Sequence, residues 1–128
     1  MRKLFTALLT LSLLFIVVTP VLAAKKSASI YVAPTFIKSS NNVRTTFSGT
    51  KNAKKISYTL SYDGNGVGQG VVGSFNPGKS NVVTKNLFLG TCSGKVCIKH
   101  KNIKNCQLSV TTTYKNGKST TKVYKIKS

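Results

Sequence analysis

Beyond residue 29 the chain alternates apolar and polar positions with a period of two, the pattern of strands with one buried and one wet face. The clearest stretch sets Ile56, Tyr58, Leu60 and Tyr62 against Ser57, Thr59 and Ser61. Val43, Thr45 and Phe47 alternate with Arg44, Thr46 and Ser48, and Cys106, Leu108, Val110 and Tyr114 with Gln107, Ser109 and Thr111. Ile30 to Val32 begins a first strand that Pro34 interrupts, which predicts a place at a sheet edge because proline cannot donate to a ladder. Asp63-Gly64-Asn65-Gly66 predicts a turn into a glycine-rich strand through Val71, Val72 and Phe75, and Asn76-Pro77-Gly78-Lys79 turns the chain again. Val82 to Leu89 reads as a strand without a decided inward face, since apolar residues fall in both registers. Asn116-Gly117 predicts a hairpin into a last strand, Thr120 to Lys127, with Tyr124 and Ile126 inward. The expectation is an all-β fold over residues 30–128, a single seven-stranded immunoglobulin-like or fibronectin-type-III-like β-sandwich.

The first residues follow a different logic. Arg2 and Lys3 precede an apolar run from Leu4 to Val18, and Val21-Leu22-Ala23 offers small residues for cleavage, so residues 1–23 read as a secretory signal peptide. Residues 24–29 form a short polar lead. The competing reading is an uncleaved anchor, because Leu4 to Ala24 is long and apolar enough to cross a bilayer. Cleavage leaves a secreted or cell-surface chain with no transmembrane segment.

Charge changes the picture more than any motif. The 128 residues hold 20 Lys and Arg against one acid, Asp63, for a net charge of +19. Loss of residues 1–23 removes Arg2 and Lys3 and leaves +17 on 105 residues. A compositional bias toward Lys and Asn accounts for the bases but not for the absence of Glu, so the missing acids point to a polyanionic partner. Arg44 is the single arginine of the mature part. Lysines are point charges without the fork that reads base edges, so the expected binding is diffuse and insensitive to sequence. Two groups stand out, Lys95, Lys99, Lys101 and Lys104 in one loop, and Lys115, Lys118, Lys122, Lys125 and Lys127 along the final hairpin.

Thr46-Phe47-Ser48-Gly49-Thr50, the run Ile56 to Tyr62 and above all Gly90-Thr91-Cys92-Ser93-Gly94-Lys95-Val96-Cys97 resemble small, uncharacterised secreted sandwich proteins of ultra-small bacteria with reduced genomes. The resemblance implies the sandwich fold and export, and it supplies no activity. Cys106 stands outside that pattern.

Cys92 and Cys97 are spaced for a tight loop that a disulfide can close, the default in an exported chain. The alternation of Cys106 with Leu108 and Val110 turns it inward as a buried free thiol. Cys92, Cys97, His100 and Cys106 also make a compact Cys3His set, but export favours oxidation over zinc, and His100 reads as an exposed loop residue between Lys99 and Lys101. No metal or cofactor is therefore expected. Catalysis is not expected either. One carboxylate cannot form an acid/base pair, Cys97 with His100 lacks an oxyanion-hole motif, and the glycines at 64–73 lack the strand-then-helix context of a phosphate loop. The leading expectation is a monomeric polyanion-binding domain. The alternative is a structural or adhesive protein that meets protein partners through a sheet edge or loop.

Overall fold

The structure is a computed structural model that describes residues 29–128. The expected signal peptide and nearly all of the polar lead lie outside the described residues. Among the described residues no helix is long and apolar enough to cross a membrane.

The described chain is all-β. Its strands are β1 (Tyr31–Ile37), β2 (Asn42–Ser48), β3 (Ala53–Gly64), β4 (Val67–Phe75), β5 (Val82–Phe88), β6 (Gly90–Ser93), β7 (Val96–Lys99), β8 (Lys104–Tyr114) and β9 (Ser119–Lys125), with one 3-10 turn at Thr50–Asn52. These build three antiparallel sheets ordered β1-β2-β5, β4-β3-β8-β9 and β6-β7. Nine strands thus stand where seven are expected. The additional pair is the small β6-β7 hairpin, inside a segment that reads as a cysteine loop.

The alternation has its expected result. Ile56, Leu60 and Leu108 have no exposed surface, and with Val43, Phe47 and Val110 they join the two larger sheets in one apolar core. Full burial of each such side chain contributes about 1.5–3 kcal/mol, so this shared face holds the sheets together. Phe47 meets the Phe75 ring edge-on at 5.1 Å between centroids. The undecided face of β5 resolves toward Leu87, which is buried with Leu89 just beyond the strand, while Val82 stays 56 % exposed. β1 runs straight through Pro34 instead of stopping there, because among the described residues it is an outer strand paired only with β2 and the missing N–H is not required. In glycine-rich β4 the Tyr58 ring occupies the space where a side chain at Gly73 would stand.

The outer face of the four-stranded sheet is rich in hydroxyls. Ser57, Thr59 and Ser61 lie beside Thr111, Ser109 and Gln107 of β8, and Thr111 and Thr113 exchange hydrogen bonds with Thr121 (2.8 Å) and Ser119 (3.2 Å) of β9.

Candidate functional site

Strand register sorts the connections into two ends. One end gathers the β1-β2 turn, the β3-β4 turn, the whole stretch from Leu89 to Ile103 and the last residues 126–128. The opposite end gathers residues 49–52, 76–81 and 115–118. There Thr50 Oγ1 donates to the Ser80 carbonyl (2.6 Å) and the Lys115 amide to the Asn52 carbonyl (2.9 Å).

A buried asparagine organises the first end. Asn41, at φ 55° in the left-handed region that asparagine tolerates, sends its side-chain amide to the carbonyls of Leu89 (2.5 Å) and His100 (3.0 Å). Leu89 N–H donates back to the Asn41 carbonyl at 2.9 Å. The β1-β2 turn is thereby tied to both ends of the segment that carries the β6-β7 hairpin. Asn65 does the same for the β3-β4 turn, its amide donating to the Lys101 carbonyl (2.7 Å) and its side-chain oxygen accepting from the Lys101 amide (3.0 Å). Neither asparagine was marked by the sequence pattern, in which each is one polar turn residue among several.

His100 differs from the exposed loop residue expected. It is half-buried, with Nδ1 3.0 Å from the Tyr62 hydroxyl and Nε2 3.0 Å from Thr91 Oγ1. Gly64 makes room for it, since a side chain there would run into the His100 Cβ. The ring ties β3 to the base of the hairpin. Burial, reinforced by the neighbouring Cys106, raises the Tyr62 pKa, so this hydroxyl stays a neutral hydrogen-bonding phenol.

The cysteines follow the sequence reading. Cys92 and Cys97 face each other across the hairpin, 4.0 Å apart at Cα, and form a disulfide. Cys106 is a free thiol, 3 % exposed, and burial pushes its pKa up to about 11. A buried thiol held protonated at neutral pH is a poor nucleophile. Among the described residues no three His, Cys, Asp or Glu side chains come together to hold a metal ion. Asp63 Oδ2 accepts from the Asn105 side-chain amide at 2.6 Å.

All nine lysines singled out above are exposed, but they do not group as their order in the chain implies. Lys95, Lys99, Lys101 and Lys104 share the first end, where Lys99 Nζ donates to the Ser39 carbonyl (3.1 Å). Lys38 joins them across a shallow groove whose walls include Lys99, His100, Lys101 and Ser128. Lys127 lies there too, because Ser128 Oγ donates to the Ile103 carbonyl at 3.0 Å. The five lysines of the final hairpin are split. Lys115 and Lys118 sit in the turn at the opposite end, beside Lys51, Lys54 and Lys79, while Lys125 runs back toward the first end. Lys122 is on the other face of β9 from Lys125, where it covers Ile30, Val32 and Tyr114. The lysines of the final hairpin are therefore divided between two ends about a strand's length apart.

The chain matches no protein-family model, no curated protein and no solved structure. What the fold and the surface define is an all-β, disulfide-bearing protein with lysines concentrated at both ends of its sheets.

Proposed function

We propose that this chain is an exported, non-catalytic domain that binds polyanions, such as extracellular nucleic acid, anionic cell-wall polymer or acidic polysaccharide. The observation that carries the reading is the gathering of Lys38, Lys95, Lys99, Lys101, Lys104 and Lys127 at one end of a protein with a single acid. A second cluster at the opposite end adds a further, smaller contact surface. The three-plus-four arrangement of the larger sheets supports an immunoglobulin-like or fibronectin-type-III-like sandwich, with β6-β7 as an insertion. Kinship with the small secreted proteins of reduced-genome bacteria belongs to the same proposal, since their Gly-Thr-Cys-Ser-x-x-x-Cys stretch falls on that hairpin. The disulfide is compatible with an oxidising compartment outside the cell.

Lysine-phosphate attraction works by release of condensed counterions, so salt dependence is the test. The mature protein should bind mixed-sequence double-stranded DNA with micromolar affinity. About five phosphate contacts give a slope of log affinity against log salt near −4 to −5. The absence of binding to DNA, to a polyglycerol phosphate and to an acidic polysaccharide at low salt would refute the proposal.

A further inference from the structure

Outer strands expose a row of unpaired N–H and C=O groups, and proteins usually protect them with proline, lysine or an inward charge. Three of the four outer strands of the larger sheets are protected in this way. β1 holds Pro34, and β9 carries Lys122 and Lys125. β5 turns Lys85 toward the core side, where Nζ lies 5.0 Å above the centre of the Phe75 ring.

The fourth outer strand, β4, has none of these devices. Its nine residues include no proline and no charged side chain, and three of them are glycines. It pairs with β3 along its whole length, and among the described residues no strand pairs with its other side. No residue of β4 is buried, and Val67 and Val72 are 58 % and 78 % exposed. With no described strand on that side, a further strand can approach to the usual spacing of about 4.8 Å.

We propose that β4 is a strand-addition site that accepts an extended, acid-flanked segment of a partner protein. Backbone hydrogen bonds to the open side supply the affinity, and Val67 and Val72 supply apolar contact on alternate faces. The acidic flanks follow from charge. Lys101 lies against the β3-β4 turn at one end of the strand; at the other end Lys85 Nζ lies over the Phe75 ring, and Lys54 and Lys55 directly precede Ile56, the strand partner of Phe75. A second copy of this chain is a poorer occupant, because pairing β4 with β4 brings together two lysine-flanked strands of strongly basic molecules. The proposal does not depend on polyanion binding, which uses side-chain charge and no backbone ladder.

A labelled nine-residue peptide, acidic at both ends with alternating Val and Thr between, matches β4 in length and tests the site by fluorescence anisotropy. Two further versions carry N-methyl groups on alternate amides, one set for each edge of the peptide strand. Strand addition predicts that one methylated version binds about tenfold more weakly or worse while the other matches the parent, since only one edge donates to β4. Amide exchange should slow between Val67 and Phe75 when the parent peptide binds. The proposal is overturned if both methylated peptides bind like the parent, which is the result for charge attraction alone. It is equally overturned if no peptide binds, if protection appears on another strand, or if β4 is already protected in a dimer of the free protein.

Discussion

The Tyr62-His100 pair allows a quantitative test of how the β6-β7 hairpin is anchored. Tyr62 is 3 % exposed, and its hydroxyl meets His100 Nδ1 at 3.0 Å. Changing Tyr62 to Phe removes the hydroxyl and leaves the half-buried imidazole free to bond water, at a cost of about 1 kcal/mol. Changing His100 to Ala is worse. It strands the Tyr62 hydroxyl in the core, opens a gap beside Gly64 and releases Thr91, so the expected loss is about 2–3 kcal/mol. In the double variant no hydroxyl is stranded, and the combined loss should fall short of the sum by about 1 kcal/mol. Urea denaturation of the four proteins near neutral pH measures the cycle. Hydrogen exchange adds a second readout, because His100→Ala should speed exchange in Gly90–Lys99 while Tyr62→Phe leaves Thr91 held. Strict additivity of the two losses would refute the coupling, and unchanged exchange in the hairpin would refute its anchoring by His100.

Other expectations follow from the lysines and cysteines. Replacing Lys99, Lys101, Lys104 and Lys127 with Gln removes up to four phosphate contacts and should flatten the DNA salt slope by about 3.6, against about 1.8 at most for Lys115 and Lys118. Filter binding over a salt series distinguishes them, and an equal or larger effect from the second pair would move the principal site to the opposite end. Cys106 should resist maleimide in the native protein and react once it unfolds. Its folded pKa of about 11 lies above the ordinary value of 9.0, so its contribution to stability is complete below pH 9 and is lost as pH rises through 11. Denaturation midpoints across that range should fall less in Cys106→Ala than in the parent. Reduction of the Cys92–Cys97 bond closes off about 2 kcal/mol of loop-entropy stabilisation, and its effect on exchange should be confined to the hairpin because that sheet shares no strand with the other two.

Much of the fold was legible because it is written locally. β3 and β8 declare their buried faces through strict alternation, and Asn116-Gly117 marks a turn whose glycine adopts φ 85°. The β6-β7 hairpin was harder to see, since four-residue strands offer too few alternations to register. Its signals were Gly94 at φ 58° between Ser93 and Lys95, and the placing of both cysteines at one paired position. The lysine clusters depend on which strand ends meet, a tertiary fact that runs along the chain do not contain. Lys118 and Lys127 are neighbours on one hairpin yet lie at opposite ends, because β9 carries the chain between them. Asn41 and His100 were opaque for the same reason, since Asn41 bonds carbonyls 48 and 59 residues away and His100 meets Tyr62 38 residues away.

If the lysines bind polyanions as proposed, their two clusters give this small protein a valency of two. β8 spans eleven residues, about 36 Å of extended chain, several times the screening length of about 8 Å at physiological ionic strength. Each cluster therefore acts as a separate charge, with the hydroxyl-lined sheet face between them. A polymer strand held at one end leaves the other end free for a second strand. On the proposed polyanion binding, a single folded copy would be a cross-linker that needs no dimerisation. Mixtures with long DNA should turn turbid near charge equivalence at low salt and clear as salt is added, a behaviour that a protein with one basic face would not share.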